Sequence, residues 1–402
     1  MPSPPCDLLI SAALIVTDWR APILRNAAVA ISQDTIAAVG PVAELRAYWQ
    51  PRREINLEQQ LLLPGLVNAQ CMLGERLDDD RAPAEQQTLG IDLELLDLFS
   101  HGVTRIADTS LVPALVAQRC AAAGMRAQVA APLAEQPNRF SNSATDARAK
   151  AHTMMDEWRQ TPLITVAFGP ALAGPLSQQE LARVQVLADE IDAPVQIPLG
   201  GSGEPGWIAQ LDQLGMLNPH LQGLYKDSLS NAEIELLGER QASIVYEPLA
   251  CARRSGALTE LAALTEAGCN LAIGTGSSAL HSAGQLLSAA ALAQHLSTEL
   301  APVAAIQQAS GNGALALGPD PAGIAPLQPA DLASFDLRAT ALQPGSQRLE
   351  GIAADLLRGG SSLPAANVWV AGQQVLSDQA HCTLNRTEIL TRAAQWRATM
   401  AP

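Results

Sequence analysis

Four ionisable side chains, Asp108, Glu204, Lys226 and Glu247, fall near the ends of short apolar segments, where barrel enzymes gather their chemistry. A new catalytic role is one reading of them. Solvation of a rim, or structural salt bridges, is the plainer expectation. Cys71 is the thiol to weigh as a nucleophile, but a thiol needs an adjacent base or cation to ionise. No histidine is placed to serve it. Side chains alternate along a strand, so Cys71 is expected to be buried and inert. The six histidines (His101, His152, His220, His281, His295, His381) are scattered, and His281 and His295 are too far apart to chelate on one helical turn.

The chain as a whole bounds the setting. Its 402 residues exceed one ordinary domain, and 48 % are hydrophobic, enough for a large core. A formal charge of −15 argues against nucleic acid and anionic membranes as partners, because an acidic surface repels phosphate. The only lysines are Lys150 and Lys226, so arginine carries the positive charge. The segment M-P-S-P-P-C-D-L-L-I has no signal-peptide pattern, and no run of about 18 apolar residues could span a bilayer. Cys6, Cys71, Cys120, Cys251, Cys269 and Cys382 show no C-x-x-C spacing, so reduced thiols are expected. A soluble, cytoplasmic protein is the expectation.

These residues need elements to hold them. The spacing predicts short strands at Leu8–Thr17, on either side of a Gln33-Asp34 turn within Ala27–Val39, and at Glu54–Leu57. From Leu61 apolar strands alternate with amphipathic stretches, the pattern of a parallel sheet. The eight strands are Leu61–Asn68, Gly102–Thr109, Met125–Pro132, Leu163–Ala171, Pro194–Gly200, Leu221–Asp227, Ala242–Pro248 and Asn270–Gly276. Helices are expected at Leu111–Ala123, Ala144–Arg159, Ser177–Ile191, Asn231–Arg240 and Gly256–Ala267, with Ser143, Ser177 and Ser230 at or beside their starts and Gly124 and Gly268 near their ends. After Gly318 short strands return at Asp331–Leu337 and Ala366–Ser377, with a turn at Ala371-Gly372, and a last helix runs from Thr387 to Met400. Eight βα units close most simply into a TIM-like barrel. A doubly wound sheet is the alternative, disfavoured because no glycine-rich phosphate loop follows the first strand.

Five segments in order resemble the amidohydrolase superfamily: L-L-P-G-L-V-N-A at Leu62–Ala69, H-G-V-T-R-I-A-D at His101–Asp108, A-S-G-N-G-A-L-A-L-G at Ala309–Gly318, G-I-A-P-L-Q-P-A-D-L-A-S-F-D-L at Gly323–Leu337 and V-W-V-A-G-Q-Q-V-L at Val368–Leu376. The resemblance is to the chlorohydrolase and nucleoside-deaminase branch, which includes S-adenosylhomocysteine and methylthioadenosine deaminases. It implies a distorted TIM (β/α)8 barrel over residues 61–318, plus a small β-sandwich built from the N- and C-terminal segments, 1–60 with 319–402.

The resemblance also implies one zinc or iron ion, held by histidines and an aspartate at the C-terminal strand ends, with a glutamate moving the proton. At the matching positions this chain has Gln70 and Met72, then Pro198, Tyr225 and Gly276; Gly201 stands at the glutamate position, and Tyr246 where strand seven often presents a histidine. Ala171 replaces a substrate-facing histidine. His220 lies five residues before Tyr225, near the opposite end of that strand. No metal is therefore expected. Asp108 also falls close to the old pocket. Its expected lining is Gln70, Cys71, Gln196, Tyr225, Tyr246, Ser277 and Ser278, with the tyrosines and Met72 bulky enough to fill it. The tryptophans Trp49, Trp158, Trp207, Trp369 and Trp396 read as packing residues. The segment Leu73–Gln87 reads as a shortened lid.

The leading expectation is then an inactive pseudoenzyme without its metal site. It would bind a nucleoside-like small molecule, or act as a structural subunit in a homodimer or with an active paralogue. The alternative is a working hydrolase of C–N bonds in a nucleoside or heterocycle, deaminase- or chlorohydrolase-like, with a rebuilt site that works with or without a metal.

Overall fold

The computed structural model describes residues 3–73, 83–170, 176–199, 206–254, 257–277, 282–297, 300–318, 322–343 and 345–400. Chain order gives β1 (Pro5–Ile15), β2 (Leu24–Ser32), β3 (Thr35–Pro41), β4 (Gln50–Pro64), β5 (Leu66–Met72), β6 (Val103–Asp108), β7 (Arg126–Leu133) and β8 (Ile164–Pro170). It continues with β9 (Val195–Leu199), β10 (Leu221–Tyr225), β11 (Ser243–Tyr246), β12 (Asn270–Ile273) and β13 (Gly276–Ser277). The last four are β14 (Leu332–Asp336), β15 (Asn367–Val370), β16 (Gln373–Ser377) and β17 (Ala380–His381).

Strands from both ends of the chain share one mixed sheet of eight strands, ordered β17-β16-β15-β14-β4-β1-β2-β3. Its β4 pairs parallel with β1 and antiparallel with β14, so the two ends of the chain meet along that strand. The Ala371-Gly372 turn is present: both residues take left-handed backbone (φ 48° and 74°) and join β15 to β16, the geometry a two-residue hairpin needs.

The second sheet is parallel and ordered β12-β11-β10-β9-β8-β7-β6-β5-β13. It curls strongly. Gln222 on β10 donates to Gln128 on β7 at 3.0 Å although two strands lie between them, a reach open only across a concave face. Ala69, Leu224, Val245 and Ala272, from β5, β10, β11 and β12, pack in one buried cluster. The architecture is thus mixed α/β, a curled parallel sheet with a separate mixed sheet.

One expected strand divides. Leu61–Pro64 belongs to β4 and pairs with β14, whereas Leu66 opens β5 in the parallel sheet. Gly65 makes the passage between sheets: its amide donates to Asp331 O at 2.9 Å, and a Cβ there would overlap the Thr104 side chain.

Helices start where the sequence places them. The hydroxyls of Ser143 and Ser177 accept from the amides of Asp146 and Glu180 at 3.2 and 3.3 Å, and Ser230 with Glu233 forms a capping box. Gly124 and Gly268 have φ of 79° and 92° at the helix ends. Among the described residues, no helix is long and apolar enough to cross a membrane.

Candidate active site

Side-chain alternation along β10 and β11 builds the site. Gln222 and Leu224 face the concave side of the parallel sheet, so Lys226, two residues on, faces it as well; the Lys226 amide continues the ladder by donating to Leu199 O at 3.0 Å. Val245 and Glu247 stand in the same relation on β11. The Lys226 ammonium and the Glu247 carboxylate meet in an ion pair at the C-terminal strand ends, with side chains 29 % and 13 % exposed. Water reaches the pair, yet most of each side chain is shielded.

Gln70, at the end of β5, completes a triad. Its amide oxygen accepts from Lys226 Nζ at 3.1 Å and its nitrogen donates to Glu247 Oε1 at 3.3 Å, the orientation its two charged neighbours dictate. The chain leaves the sheet between β12 and β13 just here. Asn68 spans the break: Oδ1 accepts from the Thr275 amide at 3.1 Å, and Nδ2 donates to Thr275 Oγ1 at 2.8 Å and to Ala283 O at 2.9 Å. Gly274 lies so close to Gln70 that a Cβ would sit 2.6 Å from the Gln70 Cβ. Gly276 adopts a left-handed backbone, φ 71°, and a Cβ there would overlap the Glu247 carboxylate. Met72 and Ser277 are register partners where β13 pairs with β5, and Met72 is buried.

Several expected lining residues point elsewhere. Tyr225 and Tyr246 have the opposite parity to Lys226 and Glu247, and the expectation that they fill the old pocket is corrected. The Tyr225 hydroxyl donates to Glu260 Oε2 at 2.6 Å, on the helix Ala257–Glu266, and the Arg254 guanidinium lies over its ring at 4.6 Å. The Tyr246 hydroxyl donates to Gln308 Oε1 at 2.6 Å, beside a cavity of about 180 Å³ lined by Cys251, Leu261, Ala293 and Leu300 in the helical layer. Burial pushes both phenols up, so they stay protonated.

Cys71 also leaves the lining set. Its thiol donates to Ala107 O at 3.3 Å inside the main core, and burial, then the Asp108 charge, pushes it well above the ordinary thiol range. Buried and facing the core, it meets no base or cation among the described residues that would favour the thiolate. Asp108 is fully buried and holds backbone: it accepts from the Leu73 amide at 2.8 Å, the Ser110 amide at 3.0 Å and the Ser110 hydroxyl at 2.6 Å. Burial raises its carboxyl, an effect these hydrogen bonds oppose. Gln196 lies deeper in the concavity, donating to Gln222 Oε1 at 3.1 Å. The Pro198 carbonyl accepts from Trp207 Nε1 at 3.0 Å. His220 pairs with Asp192 at the N-terminal end of β10. Ala171, Gly201, Glu204, Ser278 and His281, and most of the expected lid (74–82), lie outside the described residues.

The donor chemistry at the matched positions does not fit a zinc or iron ion. Gln70, Met72, Pro198, Tyr225 and Gly276 offer an amide, a thioether, a ring without a ligand atom, a phenol turned away and no side chain. Among the described residues, no three His, Cys, Asp or Glu side chains converge as a metal would need. What converges is an ammonium, a carboxylate and an amide. Lys226 and Glu247 were legible as end-of-strand charges, but their partnership with Gln70 was not.

The model of the amidohydrolase family fits residues 61–375. The chain belongs to that family. A 5-methylthioadenosine/S-adenosylhomocysteine deaminase of Teredinibacter turnerae is 28 % identical over 93 % of each chain. A protein of the same name from Syntrophobacter fumaroxidans is 27 % identical over 100 % of both. Among solved structures, an adenosine deaminase from Xanthomonas campestris with bound zinc has a TM-score of 0.86 at 28 % identity, covering 99 % of each chain. Atrazine chlorohydrolase from Arthrobacter aurescens TC1, complexed with zinc, has a TM-score of 0.80 over 96 % of this chain and 99 % of that one; at 18 % identity it shares the fold alone.

These relatives correct the leading expectation from the sequence. A pseudoenzyme whose metal site is simply lost does not stand beside full-length relatives named as deaminases. The alternative expectation, a working hydrolase of C–N bonds, agrees better with them.

Proposed function

We propose that this protein hydrolyses a C–N bond, removing an amino group from a nucleoside-like or related nitrogen heterocycle, in a rebuilt, metal-free site at the mouth of a distorted (β/α)8 barrel. The observation that carries the reading is the largely shielded Lys226–Glu247 ion pair, held by Gln70 at the strand ends. Relatives named as deaminases of adenosine-type molecules support the substrate class. The setting we infer is the cytoplasm, in keeping with cysteines that are unpaired.

The chemistry asks little beyond these groups. Glu247 takes a proton from water as the water oxygen bonds to the ring carbon that bears the amino group. Negative charge then develops on the heterocycle, and the Lys226 ammonium lies within reach to stabilise it. The proton held by Glu247 passes to the departing nitrogen, the C–N bond breaks, ammonia leaves, and the ring carbon keeps the oxygen. Gln70 holds both charged groups in place.

Ammonia release from adenosine, 5-methylthioadenosine, S-adenosylhomocysteine, guanine and an aminotriazine is the test. Turnover on at least one, undiminished by a chelator, is expected. Silence across the panel, with and without added zinc or iron, would remove the reading.

A further inference from the structure

We infer that the Lys226 ammonium is a built-in replacement for a divalent cation, and that Glu247 and Gly276 are the compensating changes that let it sit there. The inference rests on the site assigned above. Its starting point is the disagreement between the family's metal chemistry and the donors this chain provides.

Three observations carry it. The first is convergence. Gln70 comes from strand one, Lys226 follows strand six, Glu247 follows strand seven and Gly276 lies on strand eight, and all four meet at one point. With the fifth, these are the strands whose ends carry the metal ligands and the strand-seven histidine in the resemblance described above.

The second is steric. The Glu247 carboxylate fills the volume that a side chain on residue 276 would occupy, so a carboxylate still reaches this corner, but from strand seven. Any Cβ at 276 would collide with it. The left-handed φ of 71° at Gly276 also suits glycine above other residues.

The third is the choice of cation. The chain has 25 lysines and arginines in all, and only Lys150 and Lys226 are lysine. Arginine serves nearly everywhere else, yet the strand-end cation is the compact ammonium. An ammonium is a point charge with three rotatable donors, closer to a metal ion in size and reach than a planar guanidinium is. It is already paired with Glu247 and Gln70, so a divalent ion entering this corner would meet a like charge and find its one carboxylate engaged.

Zinc uptake tests this without reference to activity. Purified wild-type protein is dialysed against micromolar free zinc and its metal content measured, with the unfolding temperature followed in parallel. Wild type is expected to retain well below one equivalent, about 0.1 or less, and to show no zinc-dependent rise in unfolding temperature. Lys226→His removes the ammonium and places an imidazole beside Glu247. It is expected to take up several-fold more zinc than wild type and to gain a zinc-dependent rise in unfolding temperature of a few degrees. The wild-type measurement stands even if the variant does not fold. One equivalent of zinc in the wild type would overturn the inference, as would a folded Lys226→His protein with the wild type's zinc uptake.

The two readings can fail separately. Stoichiometric zinc with turnover would sink the built-in cation and the metal-free site, and leave C–N bond hydrolysis standing. Absence of zinc together with silence on every substrate would do the reverse.

Discussion

The Glu247 carboxylate stands in the space that the first side-chain carbon of residue 276 would need, so these two positions, after β11 and at the start of β13, are sterically coupled. Gly276→Ala is therefore expected to cost about 2–3 kcal/mol, of which roughly 1 kcal/mol is backbone strain at positive φ. The remainder comes from displacing Glu247. Made in a Glu247→Ala background, the same change should cost only the strain. Urea unfolding of the four proteins in this cycle measures the coupling; additive effects would mean that the two side chains do not compete for space.

His101 and His381 give stability opposite dependences on pH. His101 Nδ1 lies 3.3 Å from Asp97 Oδ1, and its Nε2 lies 3.2 Å from Ser361 O. Burial opposes its charge, but the Asp97 contacts outweigh it and raise its pKa from 6.5 to about 9. A raised pKa means stabilisation that is complete below pH 6.5 and lost as the pH climbs through 9. His101→Gln should thus cost roughly 1–2 kcal/mol at pH 6 and little above about pH 10. For His381, burial, helped by the Arg386 charge, lowers the pKa to about 4. The folded protein holds it neutral, so its contribution is present above pH 6.5 and fades as pH falls through 4. Unfolding free energies of wild type and each single variant from pH 4 to 10 would expose the two windows.

The two sheets are joined by a bidentate pair. Arg126, opening β7, donates through Nε and Nη2 to Asp331 at 2.7 and 3.2 Å, and Asp331 also accepts from the Ala371 amide at 2.7 Å. Both side chains are largely buried. Arg126→Met leaves a buried carboxylate without its main counter-charge and should cost about 3–4 kcal/mol. Asp331→Asn keeps a hydrogen-bonding partner for Ala371 and Arg126 and should cost less. Thermal unfolding followed by calorimetry would rank them; equal, small effects would argue that the pair is not what couples the sheets.

A chain of glutamines lies below the ion pair. Gln196 donates to Gln222, which donates to Gln128, while Gln196 Oε1 and Gln128 Nε2 find no partner among the described residues. Gln222→Met strands both neighbours and is expected to cost about 2–3 kcal/mol. Replacing all three by methionine removes the polar groups together and should recover most of that loss. A triple variant no more stable than the single one, by urea unfolding, would show that the layer's packing matters more than its polarity.

What the sequence revealed and what it hid follow from the range of the interactions. The serine caps at Ser143, Ser177 and Ser230, and the Ala371-Gly372 turn, are decided within a few residues and were readable. The division of Leu61–Asn68 at Gly65 was not, because Leu61–Pro64 reads as apolar strand in either sheet and only β14, far along the chain, claims it. On β10 and β11 the motif-matched residues and the concave-facing ones differ by a single position. Matching motifs drew attention to Tyr225 and Tyr246, but alternation from Leu224 and Val245 sends those rings to the helices and their successors, Lys226 and Glu247, into the concavity.

That one-residue difference can be tested by activity. On any heterocycle of the substrate panel that is turned over, Tyr225→Phe and Tyr246→Phe remove hydroxyls engaged with Glu260 and Gln308 in the helical layer, and each should change kcat/KM by less than about 3-fold. Glu247→Gln keeps the shape of the strand end but cannot accept a proton, and should lower kcat by about 100-fold or more. The loss should fall on kcat and leave KM within about 3-fold, a split that a purely structural role for Glu247 would not give. If the tyrosine variants lost activity and Glu247→Gln kept it, the chemistry would belong to the positions that the family motifs mark, and the Lys226–Glu247 pair would be a strut.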